Sequence, residues 1–205
     1  RLIVDPERSQ QIAKARELLA AYHAAFSDLV ANHKASVIVE NDVLVPPAKI
    51  VSDGLQQMLG QAKTQGDMNA AFQISNGLKA FFECSSLVNS FLLTSDAKKA
   101  TAAADALKIT VTQVQRMEKD QAEMEKLDAT LKDDAKKTLL TALFAASTAY
   151  NKGLDEVVAD RQMRDKILAE RINRFAPEFT ATLGKVKSAL HDFQSELESR
   201  TRAEQ

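Results

Sequence analysis

Two arginines interrupt the apolar face of a predicted helix in the last third of the chain. In steps of three and four residues, this face consists of Tyr150, Leu154, Val157, Arg161, Arg164, Leu168, Ile172 and Phe175. At about 100° per residue, these positions share one side of a helix. Burying a guanidinium without a partner costs several kcal/mol, so Arg161 and Arg164 each require an anion nearby.

A predicted helix near the N-terminus carries polar residues at corresponding places. Its inner face is expected to contain Tyr22, Phe26, Leu29, His33, Ser36, Glu40 and Val43. An offset of 128 residues places His33 opposite Arg161 and Ser36 opposite Arg164. Two interpretations stay open. In one, Glu40 or an aspartate neutralises the arginines, or the arginines extend into solvent. In the other, both arginines bind a carboxylate ligand, and His33 and Ser36 donate further hydrogen bonds.

Three more polar residues are candidates for ligand contacts. Ser85 lies on the inner face of the predicted third helix, with Asn89 beside it, and together they would line a second polar pocket. Arg116 lies near the apolar face of the predicted fourth helix. Each has an alternative interpretation, because small polar residues also pack between helices without a ligand and arginines extend into solvent.

The motifs that identify common enzymes and metal sites are missing from the sequence. It contains no GxSxG, Gly-rich phosphate loop, HExxH or CxxC. None of the three histidines follows a glutamate by three residues, as in a di-iron bundle. The single cysteine, Cys84, lies in an apolar run and is expected in the core. We therefore predict a protein that binds rather than catalyses, with no catalytic residue, metal or cofactor.

The elements that carry these residues are predicted to be helices throughout. The chain has 205 residues, six of them Gly and four Pro, and helix-forming residues are abundant. We predict an all-α fold of six helices, at approximately 6–44, 48–62, 68–93, 96–127, 135–175 and 178–200. Pro46 and Pro47 are expected to end the first helix, and Pro177 the fifth. Gly66-Asp67 and Ser95-Asp96 supply stop and cap signals for the helices between them.

The pattern of helix, proline and helix occurs near each end of the chain, which indicates an internal duplication. Together with the polar residues on the two predicted inner faces, this pattern predicts an elongated molecule of two modules.

A net charge of −1 provides no general attraction to nucleic acid or acidic lipid. No run of 18 apolar residues is present, so no segment of this sequence is expected to span a membrane. The start at Arg1 suggests a piece of a longer protein, whose targeting or membrane segments would lie outside it.

Three stretches of the sequence resemble the helical bimodular sensor domain of bacterial chemoreceptors and some sensor histidine kinases. They are Ala21-Tyr22 with Phe26, Leu29 and Val30, then Asn89–Asp96, and Arg174–Phe179. The resemblance covers most of the chain. It implies two stacked four-helix modules, ligands such as small organic acids, and flanking transmembrane helices. Ser90 stands where members of the family often carry a basic residue, which argues against an anionic ligand in that module.

We therefore expect residues 1–205 to form one periplasmic sensor domain of an inner-membrane, methyl-accepting chemotaxis receptor. The expected ligand is a small organic acid or similar metabolite, and the expected assembly is a homodimer. Two alternatives remain: the sensor domain of a histidine kinase, or a helical scaffold that binds protein partners.

Overall fold

The computed structural model describes residues 6–203, without the side chains of Glu7 and Arg8. Helices hold 96% of the described residues and none of them lies in a strand, which confirms the all-α prediction. In chain order the elements are α1 (Pro6–Ile38), a π-helical segment (Val39–Leu44), α2 (Val45–Gln65), α3 (Met68–Thr94), α4 (Ala97–Leu127), a 3-10 turn (Ala129–Leu131), α5 (Asp134–Ile167), a second π-helical segment (Leu168–Ile172) and α6 (Asn173–Ala203).

The predicted caps form where the sequence places them. Gly66 ends α2 in the left-handed conformation, with φ at 72°, and the side chain of Asp67 accepts a hydrogen bond from Ala70 N at the start of α3. Ser95 ends α3, also left-handed, and the side chain of Asp96 accepts from Lys98 N. Such short connections make consecutive helices antiparallel neighbours. The break expected between α4 and α5 is also present.

The helix ends predicted at the prolines are absent. Residues 6–65 form one continuous helical run and residues 134–203 another, so the structure has four long helices and the six-helix count is not confirmed. A π-helical segment precedes the proline in each run: Val45 N–H donates to Glu40 O, and Asn173 N–H donates to Leu168 O. A wider turn ahead of the ring accommodates proline, which lacks an N–H and crowds the preceding turn.

The chain divides into two compact units. The central unit comprises Ala35–Arg161, and the terminal unit comprises Arg1–Lys34 with Gln162–Gln205. Helices α1 and α5 therefore contribute residues to both units.

The central unit is an up-and-down bundle of α2, α3, α4 and most of α5. Its core contains Val51 and Leu55 of α2 and Leu143 and Val157 of α5, all fully buried. The rings of Phe81 and Tyr150 meet edge to face, with centroids 5.5 Å apart. These contacts join α3 to α5 and give the unit a continuous apolar interior.

The described part of the terminal unit pairs the N-terminal part of α1 with the end of α5, the second π-helical segment and α6. Lys14 Nζ lies 3.5 Å from Glu178 Oε1, and Arg171 forms an ion pair with Asp28. Few side chains are buried here; they are Leu18, Ala25, Ile167 and Thr182. Two helices cannot enclose a large core, and many apolar side chains in this unit remain exposed.

The inner face of α1 differs from the predicted one in its N-terminal part, at Tyr22, Phe26 and His33. Ala25 is fully buried, whereas Phe26 is 51% exposed, and Asn32 is half-buried, whereas His33 is exposed. Small residues such as Ala25 face inward where helices approach closely, which a preference for the larger side chain misses. The inner face predicted for α5 is confirmed, because Tyr150, Leu154 and Val157 are buried and the positions that follow are partly buried.

Candidate functional site

Arg161 and Ser36 lie together in the central unit, on either side of Glu40. Arg161 Nη2 donates to Glu40 Oε1 at 2.9 Å, and Ser36 Oγ donates to the same oxygen at 3.3 Å. The side chains of Arg161 and Glu40 are 13% and 27% exposed, and Ser36 is buried. Glu40 therefore supplies the anion that the sequence requires for Arg161, as in the first of the two interpretations.

Arg161 has a buried donor that the contact with Glu40 does not use. Its Nε is buried and has no hydrogen-bond acceptor among the described residues. An incoming carboxylate would therefore find a free donor, but it would also compete with Glu40 for the guanidinium. The cluster holds one positive and one negative charge, so it has no net charge with which to attract an anion.

The other two residues of the predicted carboxylate site belong to the terminal unit. His33 is exposed on α1. Arg164 donates from Nη2 and Nε to Asp165 Oδ1, at 2.9 and 3.2 Å. Each arginine thus has its own carboxylate partner, and neither unit by itself contains all four predicted residues.

The three further candidates, Ser85, Asn89 and Arg116, differ in burial. Ser85 is half-buried and lies near the hydroxyl of Tyr150, whose pKa is raised, chiefly by burial. Asn89 and Arg116 are exposed. Neighbouring Cys84 is fully buried, as predicted, and burial raises the pKa of its thiol to about 12. A neutral thiol of this kind is unreactive.

A cleft at one end of the central unit was not predicted from the sequence. It lies where α2 and α4 end and where α3 and α5 begin, and its volume is about 580 Å³. Its lining contains five carboxamides, three methionines and four charged side chains, among other residues. These three groups are Gln61, Gln65, Asn69, Gln73 and Gln121; Met58, Met117 and Met124; and Asp67, Asp120, Asp133 and Lys136.

Four of the carboxamides follow one another at intervals of four residues across the turn between α2 and α3. Gln61 and Gln65 share one face of α2, and Asn69 and Gln73 share one face of α3. Because residues four apart are neighbours on a helix, this repeat places the carboxamides side by side. The same repeat also occurs on helix faces that are simply exposed to solvent.

The buried polar side chain of the lining is Gln121 on α4. Its side chain crosses to the loop before α5, where Nε2 donates to Leu131 O at 3.2 Å, and Nε2 also donates to Glu125 Oε1 at 3.2 Å. These bonds fix the amide at the edge of the cleft. Met58 and Met117, both buried, provide an apolar floor.

Comparisons with known proteins do not assign the chain to a family: no family model, curated protein or solved structure matches it. Within residues 6–203, no group of histidine, cysteine and carboxylate side chains is arranged to hold a metal ion. No helix in that range is long and apolar enough to cross a membrane.

Proposed function

We propose that this chain is the ligand-sensing domain of a bacterial chemoreceptor and binds a small metabolite in its central unit. The observation that carries the proposal is the cleft at the end of the four-helix bundle. Its volume falls within the range of about 300–1,000 Å³ typical of small-molecule sites, and it combines an apolar floor with several polar side chains. The sequence resemblance to helical bimodular sensor domains supports the same function.

The organic acid expected from the sequence would bind at a second position in the central unit, away from the cleft. It would bind at Arg161, where the buried Nε is an unused donor. An acid bound there would compete with Glu40 for the guanidinium, so the contact between Glu40 and Arg161 would be weakened or replaced in the occupied state. A local change of partner of this kind is a suitable element for a sensor.

The wider architecture of the proposal comes from the sequence. It comprises two stacked modules in an elongated molecule, a homodimer, flanking transmembrane helices outside residues 1–205, and a periplasmic location. Small-angle scattering tests the elongated arrangement. A radius of gyration near the ~17 Å expected of a compact chain of this length would contradict it.

A thermal-shift screen of organic acids, amino acids, amines and aromatic acids tests the function itself. A ligand that binds only the folded state raises the melting temperature, by an amount that grows with its concentration. We expect at least one compound to do so. A full screen without any stabilising compound would contradict ligand sensing.

Two alternatives use the same fold. The sensor domain of a histidine kinase would bind a ligand in the same way and differ in the output domain attached to it. A helical scaffold is favoured by one observation, the exposed apolar side chains of the terminal unit, which would then bind a partner protein. A scaffold predicts no stabilisation by any small molecule, so the thermal-shift screen separates it from a sensor.

A further inference from the structure

The charged side chains of the cleft are mostly acidic. Asp67, Asp120 and Asp133 line it, with Lys136 as the one lysine among the lining residues, so the formal net charge is −2. Asp67 Oδ1 accepts a hydrogen bond from Ala70 N at the start of α3, and Asp133 Oδ1 accepts one from Lys136 N at the start of α5. Asp120 is exposed, and no hydrogen bond or ion pair to it occurs within the described residues.

The helix termini at the cleft do not change this balance. Two helices, α2 and α4, bring their negative C-terminal ends to it, and α3 and α5 bring their positive N-terminal ends. These partial charges offset one another. The aspartates therefore decide the sign of the potential, which favours a positively charged ligand over an anion.

Gln121 independently indicates a ligand that donates hydrogen bonds. The residue is only 4% exposed, and Nε2 uses both of its hydrogens, toward Leu131 O and Glu125 Oε1. The carbonyl oxygen of the same amide has no partner among the described residues, and the side chain lines the cleft. An amide fixed in this way offers an acceptor and no further donor.

We propose that the cleft binds a small molecule with a protonated amine on a short carbon chain. The ammonium group donates to the carboxylate of Asp120 and the carbonyl oxygen of Gln121, which provide an acidic and acceptor-rich wall. The carbon chain packs on the apolar floor formed by Met58 and Met117. This inference rests on the proposed sensing function and names the ligand class of the same cleft.

Titration calorimetry on the full chain tests the ligand class with 1,4-diaminobutane and 1-butylamine, against succinate and butyrate as anions of similar size. We expect the amines to bind and the anions to bind much more weakly. Asp120→Asn should weaken amine binding roughly ten- to a hundredfold, the effect of losing a charge-assisted hydrogen bond. Lys136→Met should tighten amine binding, because it removes a positive charge from the cleft.

Asp105→Asn is the matched control. Asp105 is exposed on the same helix, about 22 Å along its axis from Asp120, and the variant changes the net charge by the same amount. We expect wild-type affinity in this variant. Equal losses in Asp105→Asn and Asp120→Asn, or no amine binding by the wild-type chain, would overturn the inference. Binding of succinate that is lost in Lys136→Met would also overturn it, but would leave the sensing function standing. Only an empty thermal-shift screen contradicts sensing.

Discussion

The pair of Glu40 and Arg161 illustrates how a buried charge is tolerated inside a helical bundle. Neither side chain is fully buried, so each retains part of its hydration, and Ser36 adds a neutral hydrogen bond to the shared oxygen. Under these conditions the pair contributes little net stability, but removing one member leaves the other charge poorly solvated. The interaction is therefore tested by the coupling free energy between Glu40 and Arg161, and not by either single substitution.

The first prediction is a double-mutant cycle on this pair. Arg161→Met leaves Glu40 without its cation and should lower the free energy of unfolding by about 1–3 kcal/mol. Glu40→Gln with Arg161→Met should cost less than the sum of the two single changes, by about 1–2 kcal/mol. Urea denaturation measures all four proteins.

The control for this cycle is the exposed pair of Lys49 and Asp53, which are joined at 2.8 Å on α2. Its coupling should be below about 1 kcal/mol because both groups stay in water. A coupling at Glu40 and Arg161 no larger than at this surface pair would show that the arginine is not held by Glu40. If Arg161→Met leaves stability unchanged and removes organic-acid binding, the second interpretation is the correct one.

Cys84 carries a prediction about alkaline pH. Its folded pKa is about 12, raised first of all by burial, whereas the ordinary thiol value is 9.0. Above pH 9 the unfolded chain loses the thiol proton and the folded chain keeps it, so stability falls as pH rises from 9 toward 12. The slope from this group is at most about 1.4 kcal/mol per pH unit. Urea denaturation between pH 7 and pH 10 should show a steeper loss for the wild type than for Cys84→Ala. Parallel curves would contradict a buried, protonated thiol.

The charge partner of Arg161 could be inferred at the residue scale, whereas the cleft could not. A guanidinium on an apolar face requires an anion, and Glu40 lies on the neighbouring predicted face. The direction of His33 depends on a rotation of α1 that replaces Phe26 with Ala25 at the inner face. Such a choice is made by the distance between two helices, which periodicity does not encode. The cleft could not be predicted because a row of glutamines on a helix face is equally common on a solvated surface.

Two glycines of α2, Gly54 and Gly60, differ in how closely neighbouring side chains pack against them. A Cβ on Gly54 would lie 2.7 Å from Leu143 Cδ2 and 3.3 Å from Leu139 Cδ1, and Leu143 is fully buried. A Cβ on Gly60 would meet no atom within 4 Å. The same substitution in one helix is therefore opposed by packing at Gly54 and unopposed at Gly60.

The prediction at the element scale is an opposite sign for these two alanine variants. Gly60→Ala should raise the free energy of unfolding by about 0.5–1 kcal/mol, the gain in helix propensity. Gly54→Ala should lower it by about 1–2 kcal/mol, because overpacking exceeds that gain. Thermal or chemical denaturation gives both values. Equal stabilisation by the two substitutions would mean that α2 and α5 lie further apart than the structure places them.

The prolines show why helix ends were predicted less well than helix types. Caps are local, so Asp67 and Asp96 were identified from neighbouring residues alone. A proline acts on the turn before it, and that turn can either end or widen. Here it widens in both runs, since the π-helical segments Val39–Leu44 and Leu168–Ile172 precede Pro46 and Pro177.

At the scale of the whole molecule, the terminal unit has more apolar surface than its own helices cover. Ile12, Leu19 and Phe26 on α1 follow one another at intervals of seven residues, and each is at least 40% exposed. On α6, Leu183, Leu190 and Leu197 repeat the same interval and are 44–50% exposed. Apolar residues at this spacing are typical of helices that pack against further helices. A second copy of the chain would provide two more helices with the same stripes.

The last prediction is that the protein associates with itself through the leucine stripe of α6. Leu190→Glu places a charge at the middle of that stripe and should weaken association at least about tenfold, since burying a leucine contributes roughly 1.5–3 kcal/mol. Ser188→Glu is the control. Ser188 is exposed on the same helix, and it lies five residues after Leu183, so its side chain points away from the stripe. Circular dichroism spectra of both variants should match that of the wild type, which checks that they fold.

Sedimentation over a concentration series, with and without a ligand from the screen, measures the association. We expect reversible dimers for the wild type and for Ser188→Glu, monomers for Leu190→Glu, and stronger dimers when a sensed ligand is bound. A ligand that favours one assembly state must itself bind more tightly to that state, so affinity should rise with protein concentration. A wild-type chain that stays monomeric at every concentration, with and without ligand, would contradict self-association through this stripe.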